Sequence, residues 1–123
     1  MAQRIYDLEE RLINFAVQII ELTDVMPKTP AGIHLAGQLL RSGTHSGIHY
    51  GEAQAAESKK DFIHRMEVSL KELRESYASI RIILKAKLHP DPSKLEIGKR
   101  ECQELVAIFQ ASVKTAQIGQ VVK

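Results

Sequence analysis

Gln38-Leu39-Leu40-Arg41-Ser42-Gly43-Thr44-His45-Ser46-Gly47-Ile48-His49-Tyr50-Gly51-Glu52-Ala53 is the stretch on which the reading of the fold turns. Three of its glycines fall within nine residues, and each should weaken a helix by roughly 1 kcal/mol relative to alanine. No proline interrupts it, and Ala36, Leu40, Gly43, Gly47 and Tyr50 recur at alternating steps of four and three. Upstream, Thr29-Pro30 offers a hydroxyl N-cap followed by proline at the first helical position. The spacing predicts a helix from about residue 30 to 56 whose small residues admit another backbone closely, within the bundle or between subunits.

The flanking segments have the same period. Ile5, Leu8, Leu12, Phe15, Ile19, Leu22 and Met26 form a heptad-like stripe, with Ile13, Ala16 and Ile20 widening it toward a second neighbour. Pro27 ends that helix. Ser58-Lys59-Lys60-Asp61 resembles a capping box with aspartate in the glutamate position. Behind it, Ile63, Met66, Leu70, Leu73, Tyr77, Ile80 and Leu84 make the clearest core stripe in the chain, and His89-Pro90-Asp91-Pro92 stops it. Ser93-Lys94-Leu95-Glu96 reads as a second capping box. Leu95, Cys102, Leu105, Phe109 and Ala116, flanked by Val106 and Val113, then face inward, with Gly119 as the stop. No segment sustains two-residue alternation. The expectation is an all-α, antiparallel up-down-up-down four-helix bundle in one domain spanning residues 1–123.

Composition narrows the function classes. Hydrophobic content of 44% and charged content of 26% suit a globular protein. No apolar run reaches the roughly 20 residues of a membrane span, and the N-terminus lacks a signal-peptide core, so a cytoplasmic location is expected. A single cysteine, Cys102, excludes an internal disulfide and a cysteine-based zinc cluster. It falls on the inward stripe of the fourth helix and reads as a small hydrophobe. There is no phosphate loop, dinucleotide fingerprint or serine-nucleophile elbow, so no cofactor is expected and an enzyme is the disfavoured class.

The net charge is only +2, but residues 58–88 hold eight Lys or Arg against four Asp or Glu. Lys60, His64, Glu67, Lys71, Arg74, Ala78, Arg81 and Lys85 share one face of the third helix, opposite its core stripe. Such a face can track a phosphate backbone with salt-dependent affinity. No aromatic residue interleaves the charges, so base stacking and strong sequence preference are not expected. The alternative is a solvated face with a Glu67–Lys71 pair. A second constellation is His45, His49 and Glu52, at i, i+4 and i+7. It can present two imidazoles and a carboxylate to a metal, but it lacks the glutamate after the first histidine that makes the zinc-protease motif mechanistic. A polar helix face or a hydrogen-bonded subunit contact is the preferred reading, and no metal is expected.

Gln38-Leu39-Leu40-Arg41-Ser42-Gly43-Thr44, Tyr50-Gly51-Glu52-Ala53, Ser58-Lys59-Lys60-Asp61-Phe62-Ile63, Ser69-Leu70-Lys71-Glu72-Leu73 and Glu75-Ser76 together resemble the four-helix proteins first met as products of intervening sequences in bacterial 23S ribosomal RNA genes. The family pattern commonly reads Ser-Ile-x-x-Asn after the Ser-Gly-Thr; this chain has His45-Ser46-Gly47-Ile48-His49 and so places two histidines where the family usually has none. The resemblance implies a ring-shaped homo-oligomer, typically a pentamer, without assigned enzymatic activity. In such a ring Gly43 and Gly47 are candidate close contacts, and Arg41 and Glu52 are candidate polar anchors within or between subunits. The fold also resembles that of accessory proteins of diversity-generating retroelements, basic barrels that bind nucleic acid and a reverse transcriptase. By that analogy the implied partners are RNA or DNA and a protein such as a reverse transcriptase, on a non-enzymatic accessory or scaffold protein. A purely structural or protein-binding oligomer and a metal-dependent activity at His45 and His49 are the alternatives.

Overall fold

A computed structural model of the chain describes the backbone over residues 2–122 and the side chains over residues 8–119. Four helices follow one another: α1 Ala2–Asp24, α2 Pro30–Gln54, α3 Lys59–Lys85 and α4 Pro92–Val122. Each helix packs on its sequence neighbours, α4 closes back onto α1, and the diagonal pairs do not meet among the described residues. This is the four-helix bundle expected of four stripes joined by short loops. The described residues contain no strand. Leu12, Phe15, Ile19, Leu39, Leu73, Ile80, Ile83, Leu95, Leu105 and Phe109 are sealed at its centre, each stabilising the fold by about 1.5–3 kcal/mol.

The chain's local grammar explains three of the ends. Thr29 caps α2, its hydroxyl accepting from the Gly32 N–H at 3.1 Å. Ser58 caps α3 in the same way, accepting from the Asp61 N–H at 3.0 Å. The cap of α4 departs from expectation. Asp91 Oδ1 accepts from the Lys94 N–H at 3.3 Å, so Asp91-Pro92 repeats the Thr29-Pro30 pattern and Ser93 lies inside the first turn. Proline's fixed φ and missing N–H suit the first helical position best, which places the cap one residue before it. The end of α3 is not made by His89-Pro90 either. Lys87 adopts φ 55°, and the N–H groups of Lys87 and Leu88 return to the carbonyls of Leu84 and Ile83, the paired closure that usually uses glycine. Gly119 does not stop α4, which continues to Val122.

Burial corrects several stripe assignments. Ile5 lies outside the residues whose side chains are described; the rest of the α1 stripe, Leu8 to Met26, faces the core. Ile13 and Ile20, expected to meet a second helix, are 47% and 48% exposed. On α2, Gly43 and Tyr50 of the expected stripe are buried, joined by Leu39, Ser42, Ser46 and Ala53, and Leu40 points outward. On α3, Ile83 takes the fully buried place in the last turn and Leu84 is half-buried. Beyond its first turn, where Gly32 lies against Pro27, the four remaining glycines of α2 separate into two kinds. A Cβ on Gly43 would stand 2.8 Å from Ile19 Cγ1, and one on Gly47 would touch Leu12, so these two face α1. Cβ atoms on Gly37 and Gly51 would meet nothing within 4 Å.

Candidate functional sites on the second and third helices

The seam between α2 and α3 is lined by small hydroxyl residues. Ser42 and Ser76 share a 2.7 Å hydrogen bond at zero exposure. The Ser69 hydroxyl donates to the Ser46 carbonyl at 2.6 Å, and Ser46 donates to the Gly43 carbonyl. Every buried side-chain polar atom among the described residues has a partner, so the close approach leaves no unmade bond, the condition under which buried hydroxyls are tolerated. The glycines were expected to admit the neighbouring backbone, yet on this side the serines do. Their i, i+4 and i, i+7 spacing on the two helices was the available signal.

Along the outer lip of this seam runs a polar array. Arg41, His45, His49 and Glu52 are presented by successive turns of α2, and Glu72 and Glu75 by α3. Arg41 Nη1 reaches Glu72 at 3.2 and 3.3 Å, and its Nη2 donates to Glu75 at 3.0 Å. Arg41 and Glu52, the two expected anchors, therefore both tie α2 to α3 and not to each other: Glu52 accepts from His49 Nδ1 at 3.0 Å and from Arg65 at 3.3 Å. Arg65 also reaches Asp61. Glu72 is the carboxylate that sequence reasoning missed. Its side chain is only 9% exposed, and His45 Nδ1 and His49 Nε2 stand 3.9 and 3.7 Å from its Oε2. Burial raises the Glu72 carboxyl above its ordinary range, reinforced by Glu75 and opposed by Arg41. Glu75 is lowered, through its contact with Glu72 and the Arg41 guanidinium. Desolvation disfavours the charged form, and the opposite charge of Arg41 favours it. The triad that could hold a metal is thus His45, His49 and Glu72, whose ligand atoms all lie within 4.8 Å of one another, with Glu52 behind His49.

The basic face of α3 adjoins this array on the side turned toward α4, where Glu75 lines the same groove as Lys71 and Arg74. Lys60, His64, Lys71, Arg74, Arg81 and Lys85 are all exposed. None of their five Lys and Arg side chains joins an ion pair among the described residues, whereas Arg11, Arg41 and Arg65 all do. The expected Glu67–Lys71 pair does not form; Glu67 accepts from Gln117 of α4 at 3.1 Å. Arg81 lies over the Tyr77 ring, 5.8 Å from its centroid. Between α3 and α4 an open groove of about 850 Å³ is lined in part by Lys71, Arg74, Lys114 and Gln110. Cys102 is fully buried and donates to the Leu73 carbonyl at 3.2 Å. Burial pushes its thiol up to about 12, which removes it as a nucleophile. No described helix is long and apolar enough to cross a membrane.

Comparison with known proteins bears on the fold and the family. Among solved structures, the chain is similar to a protein with unknown function from the S23 ribosomal protein family of Bacteroides thetaiotaomicron, with a TM-score of 0.79 and 24% identity over 87% of this chain and 98% of that one. At that identity the likeness shows the shared fold. No curated protein matches. The family model for the 23S rRNA-intervening sequence protein matches residues 6–111, the span that holds the serine-lined seam, the histidine–glutamate array and the basic face. The chain belongs to the 23S rRNA-intervening sequence protein family.

Proposed function

We propose that this protein is a non-enzymatic, self-associating accessory or scaffold protein that holds nucleic acid weakly and with little sequence preference through the outer face of α3. The observation that carries the reading is the row of cations along α3. Lys60, Lys71, Arg74, Arg81 and Lys85 remain unpaired and exposed along one helix face, a track of roughly 37 Å at 1.5 Å per residue. Neutralising phosphates with such a row releases counterions and makes affinity fall with salt. Tyr77 lies beneath Arg81, so the track offers charge and little stacking. Fluorescence anisotropy with labelled single- and double-stranded RNA and DNA at low salt tests it. Binding should weaken steeply with salt, and removal of Arg74 should weaken all sequences alike and reduce the salt slope by about 1. Absence of binding at low salt sinks it.

Self-association has its own support. Ile13, Val17 and Ile20 of α1 and Ile33, Leu40 and Ile48 of α2 are all exposed. By helical register they lie along the outer side of the α1–α2 hairpin, together with the uncovered Gly37 and Gly51. A face so apolar and so poor in charge fits a second copy of this chain better than solvent, in keeping with the ring that the family resemblance implies. This also favours the second reading, a structural oligomer without nucleic acid. Native mass measurement with and without RNA separates the two. A monomer at micromolar concentration overturns self-association, and an oligomer that takes up no RNA leaves the structural reading alone.

A further inference from the structure

We infer that His45, His49 and Glu72 form a zinc-type divalent metal site that joins α2 to α3, with Glu52 orienting His49. The site does not rest on the nucleic-acid reading, because none of its three ligands belongs to the basic face.

Three features of the geometry carry it. First, His45 and His49 sit one turn apart on α2 with ring centroids 5.9 Å apart at an interplanar angle of 70°. The rings are therefore edge-on, with nitrogens converging, and not stacked. Glu72 supplies the third donor from the facing helix, and the three ligand atoms lie within 4.8 Å of one another.

Second, the three converge without hydrogen-bonding one another. The His49 Nε2 and His45 Nδ1 distances to Glu72 Oε2, 3.7 and 3.9 Å, are too long for a hydrogen bond and leave room for an ion between. Tetrahedral zinc with bonds of about 2.0–2.1 Å holds its donors roughly 3.3 Å apart. Closing the present distances asks for side-chain shifts of about an ångström, and the His45 side chain, 45% exposed, is free to make them.

Third, an outer shell is already in place. His49 Nδ1 lies 3.0 Å from Glu52 Oε1, and Glu52 is held in turn by Arg65 at 3.3 Å. Donation from Nδ1–H to a carboxylate fixes the tautomer in which Nε2 carries the lone pair, here aimed at Glu72. That carboxylate–histidine arrangement is the one that orients and strengthens metal-ligating imidazoles. Arg41, one turn before His45 on α2, reaches both oxygens of Glu72 and holds the carboxylate in position, and it balances the charge of the acidic pair. Two imidazoles and one carboxylate suit zinc, and copper or nickel where they compete.

The test is a Zn²⁺ titration of the untagged full chain, stripped of metal, followed by calorimetry and thermal melting. One Zn²⁺ per chain and a rise in melting temperature with free Zn²⁺ are expected. His45→Asn and His49→Asn should each weaken binding at least tenfold, and Glu52→Gln should weaken it about 10–100-fold as an outer-shell loss. Ring-nitrogen NMR should show His49 bound through Nε2 and His45 through Nδ1. His45 is exposed enough that His45→Asn folds, so loss of binding in that variant is not a folding artefact. No uptake by the wild type, or equal affinity in the His45→Asn/His49→Asn double variant, overturns the site.

Discussion

Along the α2–α3 seam, polar contacts are distributed over the whole length. Ser42–Ser76 and Ser69–Ser46 lie inside, with Arg41–Glu72–Glu75 and Glu52–Arg65 outside. Among the described residues the α1–α4 seam is the most sparsely packed of the four, and α1 is pinned there at two separate points, one on α4 and one on the loop that leads into it. Near one, Arg11 grips Glu101 with two nitrogens at 2.7 and 3.0 Å and reaches Glu104 at 3.1 Å. At the other, the buried His89 donates from Nε2 to the Leu22 carbonyl and accepts at Nδ1 from the Asp91 N–H, both at 2.9 Å. Beside the Arg11 clamp, a groove of about 900 Å³ lies open, lined in part by Leu8, Asn14, Phe62 and Ile108. One seam thus depends on small side chains and the other on a few long ones. The first should be sensitive to added volume and the second to the loss of single partners.

The comparison can be broken most severely at Ser76. Ser76→Leu places three further carbons where exposure is zero and Ser42 Oγ is 2.7 Å away. It should cost about 3 kcal/mol, the upper end of overpacking, measured by denaturant unfolding; a cost below about 1 kcal/mol would show the seam to be loose. His89→Ala removes the partner of two backbone groups, and an expected loss of about 2 kcal/mol follows from leaving them unmet. The same variant should speed amide exchange at Asp91, whose N–H loses its acceptor.

Cys102 offers a smaller, pH-resolved effect on the neighbouring α3–α4 contact. Its folded thiol is pushed up to about 12 from 9.0, so the unfolded chain releases the proton first as pH rises. The stabilisation is whole below pH 9 and is lost above it, at about 1.4 kcal/mol per pH unit. The difference in unfolding free energy between wild type and Cys102→Ala should therefore change with that slope between pH 9 and 11 and stay flat below. Thiol reagents should label Cys102 only on unfolding. Smallest of all, Arg11→Met should cost at most about 1 kcal/mol. Its side chain is one-third exposed, and ion pairs at that level of solvation contribute little. A larger loss would mean that this clamp, and not the apolar core, holds α1 to α4.

Much of this molecule was legible in the sequence because helices announce themselves locally. The α1 and α3 stripes, Thr29-Pro30 and the Ser58 cap depend on residues within one or two turns of each other. What failed to show is what depends on register between helices. Nothing near His45 or His49 points to Glu72, more than twenty positions away, because the antiparallel pairing of α2 and α3 brings them together. Glu52 has the right spacing on the same helix, yet in the structure it is the carboxylate behind His49. Leu40 carries an inward signal because apolar character cannot distinguish a core face from an outer apolar face. The serines give none, because hydroxyl residues read as polar until a partner places them at zero exposure. The basic face of α3 was visible at once, since one helix carries all of it.

The two kinds of glycine in α2 give that helix an uneven response to solvent. Around Gly43 the backbone is shielded by Ile19, and its amide hydrogens should exchange only with global unfolding. Around Gly51 no side chain comes within reach of the missing Cβ, so the same helix should open there by local fluctuation, at a fraction of the free energy. Exchange rates read residue by residue should therefore rise sharply between Tyr50 and Gln54.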